Sequence, residues 1–444
     1  MIKIFNTLTK KKNKLPGKNL KIFVCGPTVY DYSHIGHARI YVTFDAFVRF
    51  LRFSGYKVKF LMNITDVDDK IINRAKEENK KPFEIARRFE KEFLKDIENL
   101  KIKIDILARA SEHINLIIKQ IKTLIKKDYA YVTSTGSVYF RTKKFKRYGK
   151  LSGQNINELK NLEPSEEKED PLDFALWKGR EKDKFEPVWK SPWGYGRPGW
   201  HIEDTAITEK YFGVQYDIHG GGIDLIFPHH ECEIAQQESA SGKVPFVKIW
   251  MHVNLLYVNG EKMSKSLGNF ITIRDFAKNY PYRFLRFFIL SHHWRSIIDY
   301  NTNVLNDLWN KYFKINEFMT KCLTFKHMKS EDIKILRKEI IKSLEDDFNT
   351  SKAINLLLEF INKKEGEKSF PIEFYKLLKE IDKIFVCFLP WKELTKSEEG
   401  LIRKREKARK EKRFEIADKI REDLKRKFIF LEDLTDKTLV INLN

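Results

Sequence analysis

The stretch FPHHECE, residues 227–233, places two histidines, a cysteine and two glutamates within seven positions. Such a set can bind a transition metal, move protons, or simply form the polar face of a helix. His229 and Glu233 are four apart, so on a helix they share one face, as joint ligation of one ion requires. Two other stretches carry chemistry of a different kind. In SHIGHARI, residues 33–40, His34 and His37 sit three apart where a strand turns into a helix. Ser33 is the expected N-cap, which leaves the exposed N–H groups and the positive end of the helix dipole facing outward. That arrangement suits phosphate oxygens and the charge that develops on them. EKMSKSLGN, residues 261–269, follows a turn at Gly260 with two lysines, two small hydroxyls and a glycine. It reads as a cationic loop that could close on a polyphosphate, or as an ordinary exposed turn.

These residues need elements to hold them. LKIFVCGPT (20–28) reads as a short buried strand ending in Gly-Pro. Residues 33–56 have helical periodicity through Ile40, Phe44, Phe47 and Leu51 and stop at Ser54-Gly55, and KVKFLMNIT (57–65) is a second strand. Strand, helix and strand make a βαβ unit, hence a parallel sheet with helices on its faces and ligands at its C-terminal edge. Residues 82–126 read as amphipathic helix, 128–140 as a hairpin around Ser-Thr-Gly, and 155–170 as a polar loop. Strand-like pieces resume at 216–227, with a helix from about Pro228 and a strand over 248–258. From Asn303 the pattern becomes long helices with little glycine. After a break near Leu389-Pro390, residues 401–427 carry 13 Lys/Arg against 6 Asp/Glu, as an RNA-binding face or a solvated helix would.

The 444 residues suggest two or three domains, and a hydrophobic content of 42% is ordinary for a globular protein. No run of 18 apolar residues offers a membrane span. The first residues are too poor in apolar side chains for a secretory segment. Four scattered cysteines, Cys25, Cys232, Cys322 and Cys387, form no disulfide framework and fit a reducing cytoplasm. A formal net charge of +22 favours a polyanionic partner such as nucleic acid.

HIGH (34–37) and KMSKS (262–266), unbroken and in this order, resemble the two signatures of class I aminoacyl-tRNA synthetases. CGPTVYD (25–31), NITDVDDKI (63–71), RPGWHIE (197–203), YDIHGGGID (216–224), FPHHE (227–231), DDFNT (346–350) and LED (431–433) narrow the resemblance to the cysteinyl-tRNA synthetase family over essentially the whole chain. The resemblance implies an α/β fold: a Rossmann-like parallel-sheet catalytic domain (1–115 and 201–302) split by a connective insertion (116–200). A helical bundle that binds the tRNA stem (303–390) and a small basic C-terminal domain (391–444) would follow. It also implies an ATP-dependent ligase that makes cysteinyl-adenylate and passes the cysteinyl group to the terminal ribose of tRNA(Cys), with Mg2+ accompanying ATP. His34 and His37 would bind the triphosphate, and Lys262 and Lys265 would stabilise the transition state. Gly26, Thr28, Gly36, Thr65, Asp66, His219, Gly221, Gly222 and Asp224 would line the ATP and amino-acid pocket, with Trp200 closing over cysteine. A cytoplasmic monomer is expected.

The family also implies a zinc ion that holds the substrate thiolate through Cys, Cys, His and Glu. Cys25, His229 and Glu233 match, but the second cysteine of GWHIEC is Asp204 in GWHIED. Three outcomes follow: a site completed by Asp204 through oxygen, a site completed by Cys232, or a weakened site. Rival signals are thin. GYGRPG (194–199) formally matches a dinucleotide loop, but it follows KSPW and is interrupted by Pro198. HGGG has no G-x-S-x-G partner. Two other functions compete: a ligase joining cysteine to an amino sugar, which has no use for the basic helical region, and a catalytically idle RNA-binding relative, which has none for intact HIGH and KMSKS.

Overall fold

Leu20, Ile22, Phe23 and Val24 of the strand Asn19–Val24 are buried, as is the run from Phe60 to Ile64 in Lys57–Ile64. Burial on both faces is what a strand covered by helices requires, and the two pair in parallel with Ile22 opposite Phe60. The helix Ile35–Phe53 joins them and buries Phe44, Phe47, Phe50 and Leu51. Each such side chain contributes about 2 kcal/mol when fully buried. Five parallel strands complete the sheet, in the order Val247–Val253, Tyr216–Gly222, Asn19–Val24, Lys57–Ile64 and Ile106–Arg109.

The computed structural model describes residues 1–155, 164–263, 267–325, 331–367, 369–434 and 438–444. They form two compact units, Met1–Leu255 and Leu256–Asn444. Two expectations change here. The 82–126 region is not helical throughout: Pro82–Asn99 and Ile114–Lys126 flank the strand Ile106–Arg109. Four residues are too few for periodicity to separate strand from helix, and pairing with Leu61 to Ile64 decides the matter. The 248–258 stretch is likewise two strands, Val247–Val253 in the parallel sheet and Leu256–Val258 in a three-stranded sheet of the second unit.

Between Ile114–Lys126 and Trp200–Phe212 the first unit carries a five-stranded antiparallel sheet. Its first hairpin, Ala130–Val132 with Val138–Phe140, is the one expected at 128–140. Residues 156–163 of the polar loop lie outside the described residues. The first five residues of GYGRPG form the strand Gly194–Pro198, which pairs antiparallel on both sides, and Gly199 caps the helix Trp200–Phe212; Gly194 and Gly196 are thus paired in an antiparallel sheet and not in the turn of a parallel βαβ unit.

Two helices of this unit are polar in sequence yet buried almost all round: Trp200–Phe212 (WHIEDTAITEKYF) and Glu231–Ser241 (ECEIAQQESAS). Buried polar groups need hydrogen-bond partners. Glu231 accepts from the backbone N–H groups of Gly149 at 3.0 Å and Ser152 at 2.7 Å, and Glu238 from that of Phe246 at 2.9 Å. The Thr205 hydroxyl donates to Gln120 at 2.7 Å. These helices present no apolar stripe, and they are the ones that carry the site.

In the second unit Leu256–Val258 pairs with Glu261–Lys262 and Ile298–Tyr300. Helices follow at Thr302–Thr324, Asp332–Glu345, Thr350–Lys363, Ile372–Phe385, Lys396–Lys410 and Phe414–Lys425, and an antiparallel pair, Ile429–Asp433 with Thr438–Asn442, closes the chain. Among the described residues no helix is long and apolar enough to cross a membrane.

Candidate active site and metal centre

The site gathers at the C-terminal ends of the parallel strands, where an open α/β sheet leaves a crevice. Cys25 and Gly26 follow Asn19–Val24, Thr65 follows Lys57–Ile64, and His219 to Gly222 end Tyr216–Gly222. A Cβ on Gly26 would stand 1.8 Å from the Asn63 carbonyl oxygen, so only glycine lets the chain pass. The Gly26 N–H donates to Asn63 Oδ1 at 2.6 Å, and Asn63 Nδ2 donates to Asp204 Oδ1 at 2.6 Å. Asn63 thereby ties the Cys25 turn to the Trp200 helix.

His34, not Ser33, caps the helix Ile35–Phe53. Its backbone is extended, and its Nδ1 accepts from the N–H groups of Gly36 at 3.1 Å and His37 at 3.3 Å. His37 Nδ1 accepts in return from the His34 N–H at 3.3 Å, and the two rings stack with centroids 3.8 Å apart. A ring nitrogen that accepts carries no proton, so both imidazoles take the Nε2–H form. Burial lowers the pKa of His34 to about 4, and burial together with His34 and Lys70 holds His37 well below the usual value. The pair is a set of neutral donors at physiological pH.

This has a consequence for stability. Unfolded histidine titrates near pH 6.5, so as pH falls the unfolded chain takes up protons before the folded one does. The contribution of His34 is therefore complete above about pH 6.5 and is lost as pH falls toward about 4. His252, which burial lowers to about 3, adds in the same direction. Calorimetry is expected to show Tm falling between pH 6.5 and 4.5. The slope should be shallower in His34→Asn, since asparagine still caps but does not titrate. An unchanged slope would contradict the assignment.

Cys25, His229, His230 and Glu233 each offer a donor atom, all within 4.8 Å of one another and all buried. His229 Nε2 stands 3.0 Å from Glu233 Oε1 and 3.0 Å from Asp204 Oδ2. Cys25 Sγ lies 3.2 Å from His230 Nε2 and 3.3 Å from His219 Nε2. Both carboxylate oxygens of Glu233 are buried, and neither receives a well-directed hydrogen bond. Burial, Asp204 and Glu233 push the Cys25 thiol well above its usual pKa, and burial raises the carboxyls of Glu233 and Glu203. Burial alone would lower His229, but Glu233 and Asp204 outweigh it. So many buried anionic donors must be met by protons or by a cation. A sulfur, nitrogen and oxygen set of this kind fits a first-row metal ion.

Trp200 stacks on His229 with centroids 4.3 Å apart and is partly exposed. Thr28 bridges to Thr65, whose hydroxyl donates to Glu203. Gly221 and Gly222 are buried in their strand, and Asp224 is exposed beyond it. Asp66 departs from the expected pocket role: its carboxylate accepts from Ser111 N at 2.9 Å, Ser111 Oγ at 2.6 Å and Arg87 at 2.9 Å, which makes it a brace. Cys232, the alternative sulfur ligand, also departs. Its Sγ faces the Tyr148 hydroxyl at 3.2 Å within the hydrophobic core. Adjacent helix positions point about 100° apart, so the turn that aims Glu233 at His229 carries Cys232 away. Lys262 is exposed in the second unit, and Lys265 lies outside the described residues.

An outer ring of imidazoles surrounds the buried cluster, with no local pattern in the sequence to announce it. His229 Nδ1 pairs with His201 Nδ1 at 2.8 Å, and His230 Nδ1 with His252 Nε2 at 2.8 Å. His252 Nδ1 in turn meets the Thr7 hydroxyl at 2.7 Å. Each inner imidazole is thus oriented through its second nitrogen, as metal-binding histidines usually are. Adjacency of His230 to His229 was the one available signal; His201 and His252 arrive from distant elements.

Comparison with known proteins decides the family. The model for the class I (C) tRNA synthetase catalytic domain matches residues 11–310. Cysteine–tRNA ligase of Pyrococcus abyssi is 45% identical over 474 residues, covering 99% of this chain and 98% of that one. The chain belongs to the cysteine–tRNA ligase family. The enzymes of that name from Thermococcus gammatolerans (43% identical, 99% and 98% covered) and Methanococcus maripaludis (44%, 98% and 97%) agree. Mycobacterium tuberculosis methionyl-tRNA synthetase in complex with methionyl-adenylate superposes with a TM-score of 0.62 at 16% identity, covering 83% of this chain and 90% of that one. That likeness speaks for the class I fold alone.

Proposed function

We propose that this chain activates cysteine with ATP and passes the cysteinyl group to tRNA(Cys). A carboxylate oxygen of cysteine attacks the α-phosphorus, and pyrophosphate leaves with the bridging electron pair. A hydroxyl of the terminal ribose then attacks the carbonyl carbon of the adenylate, and AMP leaves. No side-chain nucleophile is required; position and electrostatics lower the barrier. His34 and His37 donate their Nε2–H groups to the triphosphate, which is accompanied by Mg2+. Lys262 and Lys265 offset the charge that develops on the transferring phosphoryl group. Gly26, Thr28, Gly36, Gly221, Gly222 and Asp224 border the nucleotide, and Thr65, Trp200 and His219 border cysteine. The regions 303–390 and 391–444 engage tRNA. The enzyme acts as a monomer in the cytoplasm.

The observation that carries this reading is the buried Cys25–His229–His230–Glu233 cluster at the strand ends, in a chain of this family. Cys25, His229 and Glu233 would hold a zinc ion, with Asp204 in place of the family's second cysteine. Zinc binds thiolate strongly and hydroxyl weakly, which supplies a basis for refusing serine. The proximity of Asp204 Oδ2 to His229 supports its place. Metal analysis after chelator dialysis is expected to find about one zinc per chain in Cys232→Ser, as in the unaltered chain. Asp204→Ala should bind it at least about 10-fold more weakly. Loss of zinc from Cys232→Ser would overturn this ligand set. The activity is tested by ATP–pyrophosphate exchange with single amino acids: cysteine should support it and serine should not.

A further inference from the structure

The helices Ile114–Lys126, Trp200–Phe212 and Glu231–Ser241 of the first unit enclose a cavity of about 240 Å³. Ala240 and Ser241, which line it, lie seven and eight positions after Glu233 on one helix. That is about 11 Å along the axis, so the cavity stands apart from the metal cluster. Leu116, Ala206 and Ala240 give it an apolar patch. Lys119, Lys210 and Glu209 bring two positive charges and one negative to its wall. Among the described residues none of the three is paired with an ion of opposite sign.

The carboxylate is fixed by two glutamines that the fold buries. The Thr205 hydroxyl donates to Gln120 Oε1 at 2.7 Å, which leaves the Gln120 amide nitrogen to donate to Glu209 Oε2 at 3.0 Å. Gln120 also donates to Gln237 Oε1, so Gln237 turns its own amide nitrogen to Glu209 Oε2 at 3.1 Å. Glu209 Oε1 is left with no protein donor among the described residues. Lys210 Nζ donates to His113 Nε2 at 3.0 Å, and the His113 Nδ1–H donates to the Arg109 carbonyl at 2.7 Å. An ammonium has three protons, so Lys210 keeps two to give. The hydroxyls of Thr123 and Ser241, also on the wall, donate to the carbonyls of Lys119 at 3.1 Å and Gln237 at 2.7 Å. What they offer the cavity is lone pairs.

We propose that this cavity binds a small free α-amino acid as its zwitterion, at a site separate from the one that activates cysteine. Glu209 Oε1 and the Thr123 and Ser241 oxygens take the ammonium, and Lys119 and Lys210 take the carboxylate. The apolar patch accepts a small side chain. A lone anion would leave Glu209 without a partner, and a lone cation would face two lysines. Below the roughly 300 Å³ at which drug-sized pockets begin, the cavity suits a small metabolite and is too small for a nucleotide. A carboxylate already held in place loses little freedom when the ligand arrives, which favours binding.

Calorimetric titration of the full chain with glycine and with L-alanine is expected to give a Kd on the order of 1 mM for at least one of them. Acetate and methylammonium, each carrying one of the two charges, should bind at least about 10-fold more weakly. Glu209→Gln keeps an oxygen to accept the two glutamine bonds but loses the charge, and Lys119→Ala alters an exposed helix position. Each should weaken the amino acid at least about 10-fold, with cysteine-dependent ATP–pyrophosphate exchange unchanged. If Glu209→Gln disturbs the fold, Lys119→Ala decides. Absence of binding, binding unaltered in the variants, or acetate binding as tightly as the amino acids would overturn the proposal. None of these outcomes depends on whether the chain charges tRNA, which tests the ligase reading separately.

Discussion

His229→Ala is expected to empty the metal site and lower cysteine-dependent ATP–pyrophosphate exchange by at least about 100-fold. The imidazole Nε2 stands 3.0 Å from both Asp204 Oδ2 and Glu233 Oε1. Removing it takes away a ligand and leaves two buried carboxylates facing one another with no positive partner between them. Such a pair relaxes by taking up a proton, and a protonated carboxyl is a poor ligand. The effect should therefore fall on metal content and on cysteine, with the KM for ATP little changed. Trp200 loses its stacking surface at the same time. Zinc analysis and exchange kinetics on one preparation check this; a variant with full zinc and near-normal exchange would contradict it.

His34→Asn should lower kcat/KM for ATP in the exchange reaction by about 10²–10³-fold while leaving metal content untouched. The substitution separates two duties of one residue. Asparagine accepts the Gly36 and His37 N–H bonds that His34 Nδ1 accepts now, so the helix Ile35–Phe53 keeps its cap. It lacks the Nε2–H that the imidazole offers to a triphosphate. His37→Ala, by contrast, should cost both activity and roughly 1 kcal/mol of stability, since it breaks the reciprocal cap. Equal loss of stability in the two variants, or unchanged ATP kinetics in His34→Asn, would show that the pair serves the helix alone.

The residues of the site were easier to read from the sequence than the elements that hold them. HIGH, FPHHE and RPGWHIE stand unbroken, and the βαβ unit around the first of them shows in its apolar spacing. The helices Trp200–Phe212 and Glu231–Ser241 do not show in this way, because they are buried through hydrogen bonds instead of an apolar stripe. Ile106–Arg109 is too short to have a period, and only its pairing with Lys57–Ile64 makes it a strand. The capping role of His34 depends on an imidazole acting where serine or asparagine is usual. Cys232 is close to His229 in sequence, but adjacent helix positions point about 100° apart, so the register that brings Glu233 to His229 turns Cys232 toward Tyr148. His201 and His252 lie 28 and 22 residues from their partners His229 and His230, beyond any local pattern.

The direct test of the ligase reading is charging of a tRNA(Cys) transcript by the purified chain with cysteine and ATP, beside cysteine-dependent pyrophosphate exchange on the same sample. Both activities are expected, with serine supporting neither. Exchange without charging would contradict it in favour of transfer to an amino-sugar acceptor, and absence of both would leave an RNA-binding relative without catalysis.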